Sequence, residues 1–259
     1  MLRMVICDWN GTLFADTLEE AFFFGLCRRA FFQAVRRADA RKAARLGALG
    51  VRCYRQYLLA RRDPQHVPRY IARIVGLLDA DVFSGLTRED VTTYARGYAR
   101  RIQRGLDRRL LEPLGALRAE VGVRLGVISA GCRVGIEAAL AEAGAAFDFV
   151  IANEFRWAGD VTAGFEFRIA DDKHELLERF LAGAGIDPGD VMYIGDSPQD
   201  EACFDLVGLP VLSFWATEDH KRRFARDCGA FAPASRAEFE TYLRQVASDT
   251  AGRRKERAT

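Results

Sequence analysis

The chain of 259 residues is 49% hydrophobic and 29% charged, with 38 basic against 36 acidic side chains, enough to bury one large core or two modest ones. A net charge of +2 excludes a dedicated nucleic-acid binder on bulk charge, and no run of about 18 apolar residues is present to span a membrane. The total conceals a split: residues 14–112 hold 20 Lys/Arg and 11 Asp/Glu, while residues 113–259 hold 17 and 24, which points to two modules with different electrostatic roles.

Met4–Cys7 (MVIC) is a short apolar run ending at Asp8 and followed by the turn-forming pair Asn10-Gly11, the pattern of a buried strand and its exit. A long stretch with helical periodicity follows. Thr17-x-x-Glu20 has capping-box form ahead of Phe24, Cys27, Phe31 and Val35 at helical spacing. Further helices are expected over roughly 50–62, 67–78 and 88–111, the last behind a weaker cap at Thr87-x-x-Asp90. Residues 16–112 therefore read as an inserted all-helical cap.

From Pro113 the pattern alternates between helix and strand. A helix is expected from Pro113 to Val121, then strand 124–128 ending at Ser129, helix 133–143 and strand 147–152. A short hairpin over 155–168, helix 172–184, strand 191–195 ending at Asp196, helix 199–207 and strand 211–214 follow. Alternation of this kind implies an α/β fold, a doubly wound parallel sheet with helices on both faces. The expected division is a core of residues 1–15 and 113–247, a cap of 16–112, and a disordered basic tail of 248–259.

The six cysteines contain no C-x-x-C pair, and the N-terminus enters a strand without the apolar region of an export signal. Reduced thiols and a cytoplasmic location are expected. The three histidines are scattered without metal-ligand spacing, against a zinc site; His66 and His220 read as surface residues.

In an open parallel sheet, ligands bind beyond the carboxyl ends of the strands. Three of the expected strands end there in Asp8, Ser129 and Asp196. Lys173 starts a helix, where its charge opposes the helix dipole and calls for an anionic partner; it is one of 4 lysines against 34 arginines. Asp200 lies four residues past Asp196. A carboxylate nucleophile, a hydroxyl, a cation and acids for a hard metal are the parts of phosphoryl transfer. Mg²⁺ on oxygen ligands would let a carboxylate approach a phosphate dianion.

Asp8-Trp9-Asn10-Gly11-Thr12-Leu13, Ser129-Ala130-Gly131, Lys173 and Gly195-Asp196-Ser197-Pro198-Gln199-Asp200 resemble, in order, the four motifs of the haloacid dehalogenase superfamily. Segment 147–207 is most similar to its phosphoserine-phosphatase-like branch, and the insertion after the first motif resembles a C1-type cap. The resemblance covers residues 1–15 and 113–235. It implies that Asp8 attacks phosphorus to form an aspartyl-phosphate. Mg²⁺ would be held by Asp8, Asp196 and the Asn10 carbonyl, with Asp200 orienting Lys173 or a metal-bound water. Thr12, Ser129, Ala130 and Gly131 would contact phosphate, and Lys173 would bridge Asp8 and the substrate. The implied partner is a small anionic phosphorylated metabolite, without nucleic acid or membrane. The oligomeric state is not encoded legibly.

One departure matters. Phosphatases of the superfamily carry Asp two residues after the nucleophile as general acid and base; this chain has Asn10, and an amide neither gives a proton to an alkoxide nor takes one from water. Either the leaving group needs little protonation, or a cap residue or the substrate itself supplies the proton. Two alternatives follow from the same residue. One is a catalytically weak phosphate-binding or regulatory protein. The other is a phosphonatase-like C–P hydrolase with Lys42, the only cap lysine, as Schiff base. Cys7 should point into the core, the phenylalanines at 22–24 and 31–32 read as cap packing, and Arg28, Arg29, Arg36 and Arg37 are the candidates for recruiting an anion.

Overall fold

The computed structural model describes residues 1–15, 20–62, 83–169 and 173–258. In chain order the elements are β1 (Met4–Cys7), α1 (Glu20–Arg36), α2 (Ala40–Arg62), α3 (Arg88–Ile102), α4 (Arg108–Val121), β2 (Arg124–Cys132), α5 (Arg133–Glu142) and β3 (Phe149–Ala158). They continue with β4 (Val161–Glu166), α6 (Lys173–Ala184), β5 (Val191–Gly195), α7 (Glu201–Leu206), β6 (Leu209–Leu212), α8 (Glu218–Asp227) and α9 (Arg236–Ala258). Two compact units result: residues 1–18, 96–153 and 167–259 form one, and residues 19–95 with 154–166 form the other.

In the first unit β3, β2, β1, β5 and β6 lie side by side in that order, all parallel. Period-two alternation divides their side chains between two cores. Val5, Cys7, Leu125, Val127, Met192 and Ile194 face one core, which α4, α5 and α9 close with Leu114, Ile136 and Phe239. Met4, Ile6, Ile128, Val191 and Tyr193 face the other, closed by Leu177 of α6, Phe204 of α7 and Phe224 of α8. Both faces of the sheet are thus covered, and its strands carry apolar residues almost without interruption. Gly126 interrupts β2 because a Cβ there would enter the Phe149 ring of the neighbouring strand. All six cysteines are free thiols, and Cys7 is buried in the core as expected.

The second unit contains α1, α2 and the first part of α3, with the outer half of β3 pairing antiparallel to β4. Asp39 accepts the Lys42 amide at the start of α2 (2.9 Å), and the Thr87 hydroxyl accepts the Asp90 amide at the start of α3 (3.1 Å). Phe22, Phe23, Phe83, Phe155 and Phe165 form a cluster of rings in this unit, meeting edge-on except for the tilted Phe23–Phe83 pair. Phe32 instead is 54% exposed. The hairpin makes this unit more than the all-helical cap expected from the sequence.

Several expectations differ from the structure: the strand expected over 124–128 runs on to Cys132, the one over 211–214 is Leu209–Leu212, and the helix over 50–62 starts at Ala40. The helix expected to open at Pro113 begins at Arg108, where Asp107 caps it by accepting the Arg109 amide (2.9 Å), and Pro113 lies inside it. Residues 96–112 group with the sheet rather than with the cap, since Ala99, Leu106, Leu110 and Leu111 are buried in its core. The tail expected to be disordered from 248 continues α9 to Ala258. Extending an existing helix costs far less than nucleating one, and Thr250 anchors this one by accepting the Leu2 amide at 3.1 Å. The strand expected over 147–152 runs from Phe149 to Ala158. The helix expected over 67–78 and the capping box at Thr17 lie outside the described residues.

Asp107 joins several of these features. Its amide donates to the Leu13 carbonyl (2.9 Å) of the loop after β1, and its carboxylate grips the Arg109 guanidinium through two bonds (2.9 and 2.7 Å). Replacing Asp107 with Ala should cost about 1–2 kcal/mol of unfolding free energy for the lost cap. Denaturant titration checks this, and an Arg109→Gln variant should cost less.

Candidate active site

Strand register assembles the site. Cys7 pairs with Val127 of β2 and with Ile194 of β5, so the chain leaves all three strands at one edge of the sheet. Asp8 follows directly, and Ser129 and Asp196 lie within two residues of the paired positions. The Asp8 amide donates to the Ile194 carbonyl (2.8 Å), extending the ladder to the carboxylate itself.

The loop after Asp8 is held by its backbone. Gly11 donates to the Phe14 carbonyl (2.8 Å) and Phe14 to that of Trp9 (2.9 Å), while the Trp9 amide donates to Asp8 Oδ1 (2.7 Å). Gly11 has φ of +71°, and a Cβ there would collide with the Asp196 carboxylate, so the turn needs glycine twice over. The buried Ser213 hydroxyl donates to the Gly11 carbonyl at 2.7 Å. Thr12, also buried, donates to Asp196 Oδ1 at 3.3 Å. Asn10 carries a buried Oδ1 with no hydrogen-bond partner.

Lys173 starts α6, buried among acids. Its Nζ lies 2.7 Å from Asp200 Oδ1 and 3.2 Å from Asp8 Oδ2. Asp200 is fully buried. Its Oδ1 accepts from Lys173 and from the Tyr193 hydroxyl (2.8 Å), and its Oδ2 from the Asp196 amide (3.1 Å) and from the Ser197 amide and hydroxyl (both 3.3 Å). Five donors thus fill both its oxygens. Ser129, buried in β2 just before a register shift against β3, accepts the Gly131 amide on Oγ (3.1 Å) and keeps its own proton to donate.

Asp8, Asp196 and Asp200 can each bring one oxygen within 4.8 Å of the others. Three carboxylates face one ammonium, and the imbalance shows in their protonation. Burial pushes the Asp196 carboxyl up to about 8, with the nearby Asp8 and Asp200 charges adding to the shift. Burial likewise raises Asp8, against the pull of Lys173. Asp200 moves the opposite way, because Lys173 and its other donors overcome its burial. Lys173 is raised by Asp200 and Asp8 despite burial, so it stays charged. An all-oxygen donor set that resists ionising on its own suits a hard divalent cation such as Mg²⁺. With Asp200 saturated by donors, Asp8 and Asp196 are the carboxylates with oxygens to offer.

The structure thus brings Asp8, Asn10, Thr12, Ser129, Ala130, Gly131, Lys173, Asp196 and Asp200 to one edge of one sheet. It adds residues whose sequence context carries no signal. Asn153 on β3 is buried and donates to the carbonyls of Ala130 (2.5 Å) and Ile169 (3.3 Å), while accepting the Ile169 amide (2.9 Å). It ties the last residues of β2 to Ile169. His220, expected at the surface, is half-buried with Nδ1 3.1 Å from the Asp196 carbonyl. In the other unit Lys42 donates to the Ser84 carbonyl (2.5 Å), Arg29 pairs with Asp90 (3.1 Å), and Arg28, Arg36 and Arg37 are exposed. His66 lies outside the described residues.

A family model described as haloacid dehalogenase-like hydrolase matches residues 5–205. No curated protein matches the chain in sequence. Among solved structures, the chain is similar in fold to cytosolic 5'-nucleotidase IIIB bound to cytidine, with a TM-score of 0.63 at 14% identity over 96% of this chain and 86% of that one. A substrate-bound phosphoserine phosphatase complex aligns with a TM-score of 0.55 at 18% identity over 93% and 98%. A phosphoserine phosphohydrolase-like protein from Francisella tularensis subsp. tularensis SCHU S4 gives 0.57 at 13% over 93% and 99%.

The raised carboxyls have a consequence for stability. An unfolded aspartate releases its proton near pH 4, whereas Asp196 in the folded protein keeps it to about 8. Between those values the folded state binds the extra proton, so stability falls as pH rises. Asp200, shifted down, adds stability that is present above pH 4 and lost only in acid. Without divalent cation, the melting temperature should fall from pH 5 to pH 8. Millimolar Mg²⁺ should raise it more at pH 8 than at pH 5, as thermal denaturation in the two buffers would measure.

Proposed function

Because the chain belongs to the haloacid dehalogenase-like hydrolases, we propose that it is a Mg²⁺-dependent phosphohydrolase acting on a small phosphorylated metabolite through an aspartyl-phosphate on Asp8. The observation that carries this reading is the buried ammonium of Lys173 between Asp8 and Asp200 at the edge where three parallel strands end. That contact fixes the direction of the Asp8 carboxylate and leaves positive charge where a phosphoryl oxygen would approach.

Asp8 supplies the nucleophilic oxygen: its lone pair forms the P–O bond while the bond to the leaving oxygen breaks. The Ser129 hydroxyl and the backbone of Ala130 and Gly131 receive phosphoryl oxygens, and Lys173 neutralises the charge spread over them. Asp200 acts as a positioning residue, its five donors holding it so that Lys173 is aimed. Thr12 orients Asp196 through the 3.3 Å bond. Asp8, Asp196 and the Asn10 carbonyl would hold Mg²⁺, which supplies the charge neutralisation that lets a carboxylate meet a phosphate dianion. Water then displaces Asp8 from phosphorus and restores the carboxylate.

Nothing favours a C–P hydrolase, since Lys42 donates to the Ser84 carbonyl within its own unit. The phosphate-binding reading draws on Asn10 alone. Asp8→Asn should abolish release of phosphate from every substrate, while folding and Mg²⁺-dependent melting are checked separately. Lys173→Met should lower kcat by about 10²–10³-fold. It should also destabilise the fold by about 3–5 kcal/mol, because two buried carboxylates lose their partner. Retained turnover in Asp8→Asn would remove the nucleophile assignment.

A further inference from the structure

Among the described residues, the proton-bearing side chains gathered around Asp8 are engaged, apart from the Ser129 hydroxyl, whose proton is taken up by a phosphoryl oxygen in the reading above. Lys173 binds Asp8 and Asp200, Tyr193 donates to Asp200, Thr12 donates to Asp196, and His220 turns Nδ1 to the Asp196 carbonyl. Asn10, two residues past the nucleophile, has no proton to transfer, but it has a buried amide oxygen without a partner. A half-turn of the amide exchanges Oδ1 for Nδ2. The same side chain then offers an N–H to an oxygen that carries negative charge, which steadies a departing anion and cannot protonate one.

Resting on the phosphohydrolase reading above, we infer that the substrates are phosphoric anhydrides, acyl phosphates or diphosphates, rather than alkyl phosphate esters. The chemistry divides the two classes sharply. When Asp8 attacks an acyl phosphate, the bond from phosphorus to the acyl oxygen breaks with its electron pair, and a carboxylate leaves whose conjugate acid has a pKa of about 4. No proton is needed. When it attacks an alkyl phosphate, the leaving alkoxide is nearly as basic as hydroxide, and departure requires an acid that this loop lacks.

The second step suits the same machinery. The aspartyl-phosphate is itself an acyl phosphate, so Asp8 leaves as a carboxylate without a proton. Both hydrogens of the attacking water stay on the product, dihydrogen phosphate, which gives one up to solvent. In a loose transition state the water is little deprotonated, so a missing base costs little. Asn10 therefore penalises basic leaving groups selectively.

The test compares kcat/KM for acetyl phosphate, pyrophosphate and β-glycerophosphate in the wild type, Asn10→Asp and Asp8→Asn, all with Mg²⁺. The wild type should hydrolyse acetyl phosphate, pyrophosphate or both at least about 10²–10⁴-fold better than β-glycerophosphate, the usual worth of a general acid. The first two arms then say which anhydride the site prefers. Asn10→Asp should shrink that ratio by a similar factor. A series of aryl phosphates of graded leaving-group acidity, run on the wild type alone, should give a steep dependence and needs no variant to fold. Asp8-dependent turnover of β-glycerophosphate within tenfold of both anhydrides, or a flat aryl series, overturns the inference and leaves the phosphohydrolase reading standing. No Asp8-dependent turnover of any of these compounds overturns that reading and the inference with it.

Discussion

Lys173 meets two buried carboxylates with one ammonium, and the geometry of the site follows from how that group is satisfied. A lysine in the first turn of a helix opposes the helix dipole, and burying it costs several kcal/mol of hydration unless opposite charge stands close. Asp200 at 2.7 Å and Asp8 at 3.2 Å provide it. In return the ammonium fixes the start of α6 against the ends of β1 and β5. Tyr193 from β5 and the Ser197 turn then hold Asp200 from its other sides. The Asp8 carboxylate is held through a chain of contacts that begins at a strand interior and ends at its own Oδ2.

The same contact leaves the site short of positive charge. Lys173 answers one carboxylate in full and shares a second, while burial, with Asp8 and Asp200 adding to it, pushes Asp196 toward its protonated form. A bound proton or cation therefore relieves the repulsion among these carboxylates. Thr12, Ser213 and the left-handed Gly11 hold the intervening loop so tightly against Asp196 that no side chain fits between. Space and charge together suit this end of the sheet to a small hard ion.

Much of this was legible in the sequence, and the reason is topological. In a parallel sheet the polar residue ending each apolar run lands at one edge, so Asp8, Ser129 and Asp196 could be grouped without knowing the strand order. Strand 191–195 was readable to the residue because Gly and Asp punctuate it. Asn153, Tyr193 and Ser213 were not legible. Each sits in or beside a strand with an ordinary neighbourhood, and its role exists only once register places it beside another strand. Pro113 misled because proline favours the first turn of helices, while the true cap, Asp107, lacks an apolar run directly after it. The hairpin of β3 and β4 was readable as a hairpin, but its grouping with the helical insertion depends on phenylalanines far apart in sequence. The helical tail depends on one buried threonine.

The central claim is that the Asp8 carboxylate takes the phosphoryl group. Incubation with acetyl phosphate and Mg²⁺, acid quench and borohydride reduction would convert a phosphorylated aspartate to homoserine, which peptide mass spectrometry locates. Homoserine is expected at residue 8 and at no other acid of the site. Phosphate release without modification at residue 8, or modification at Asp196 or Asp200 instead, would contradict the claim.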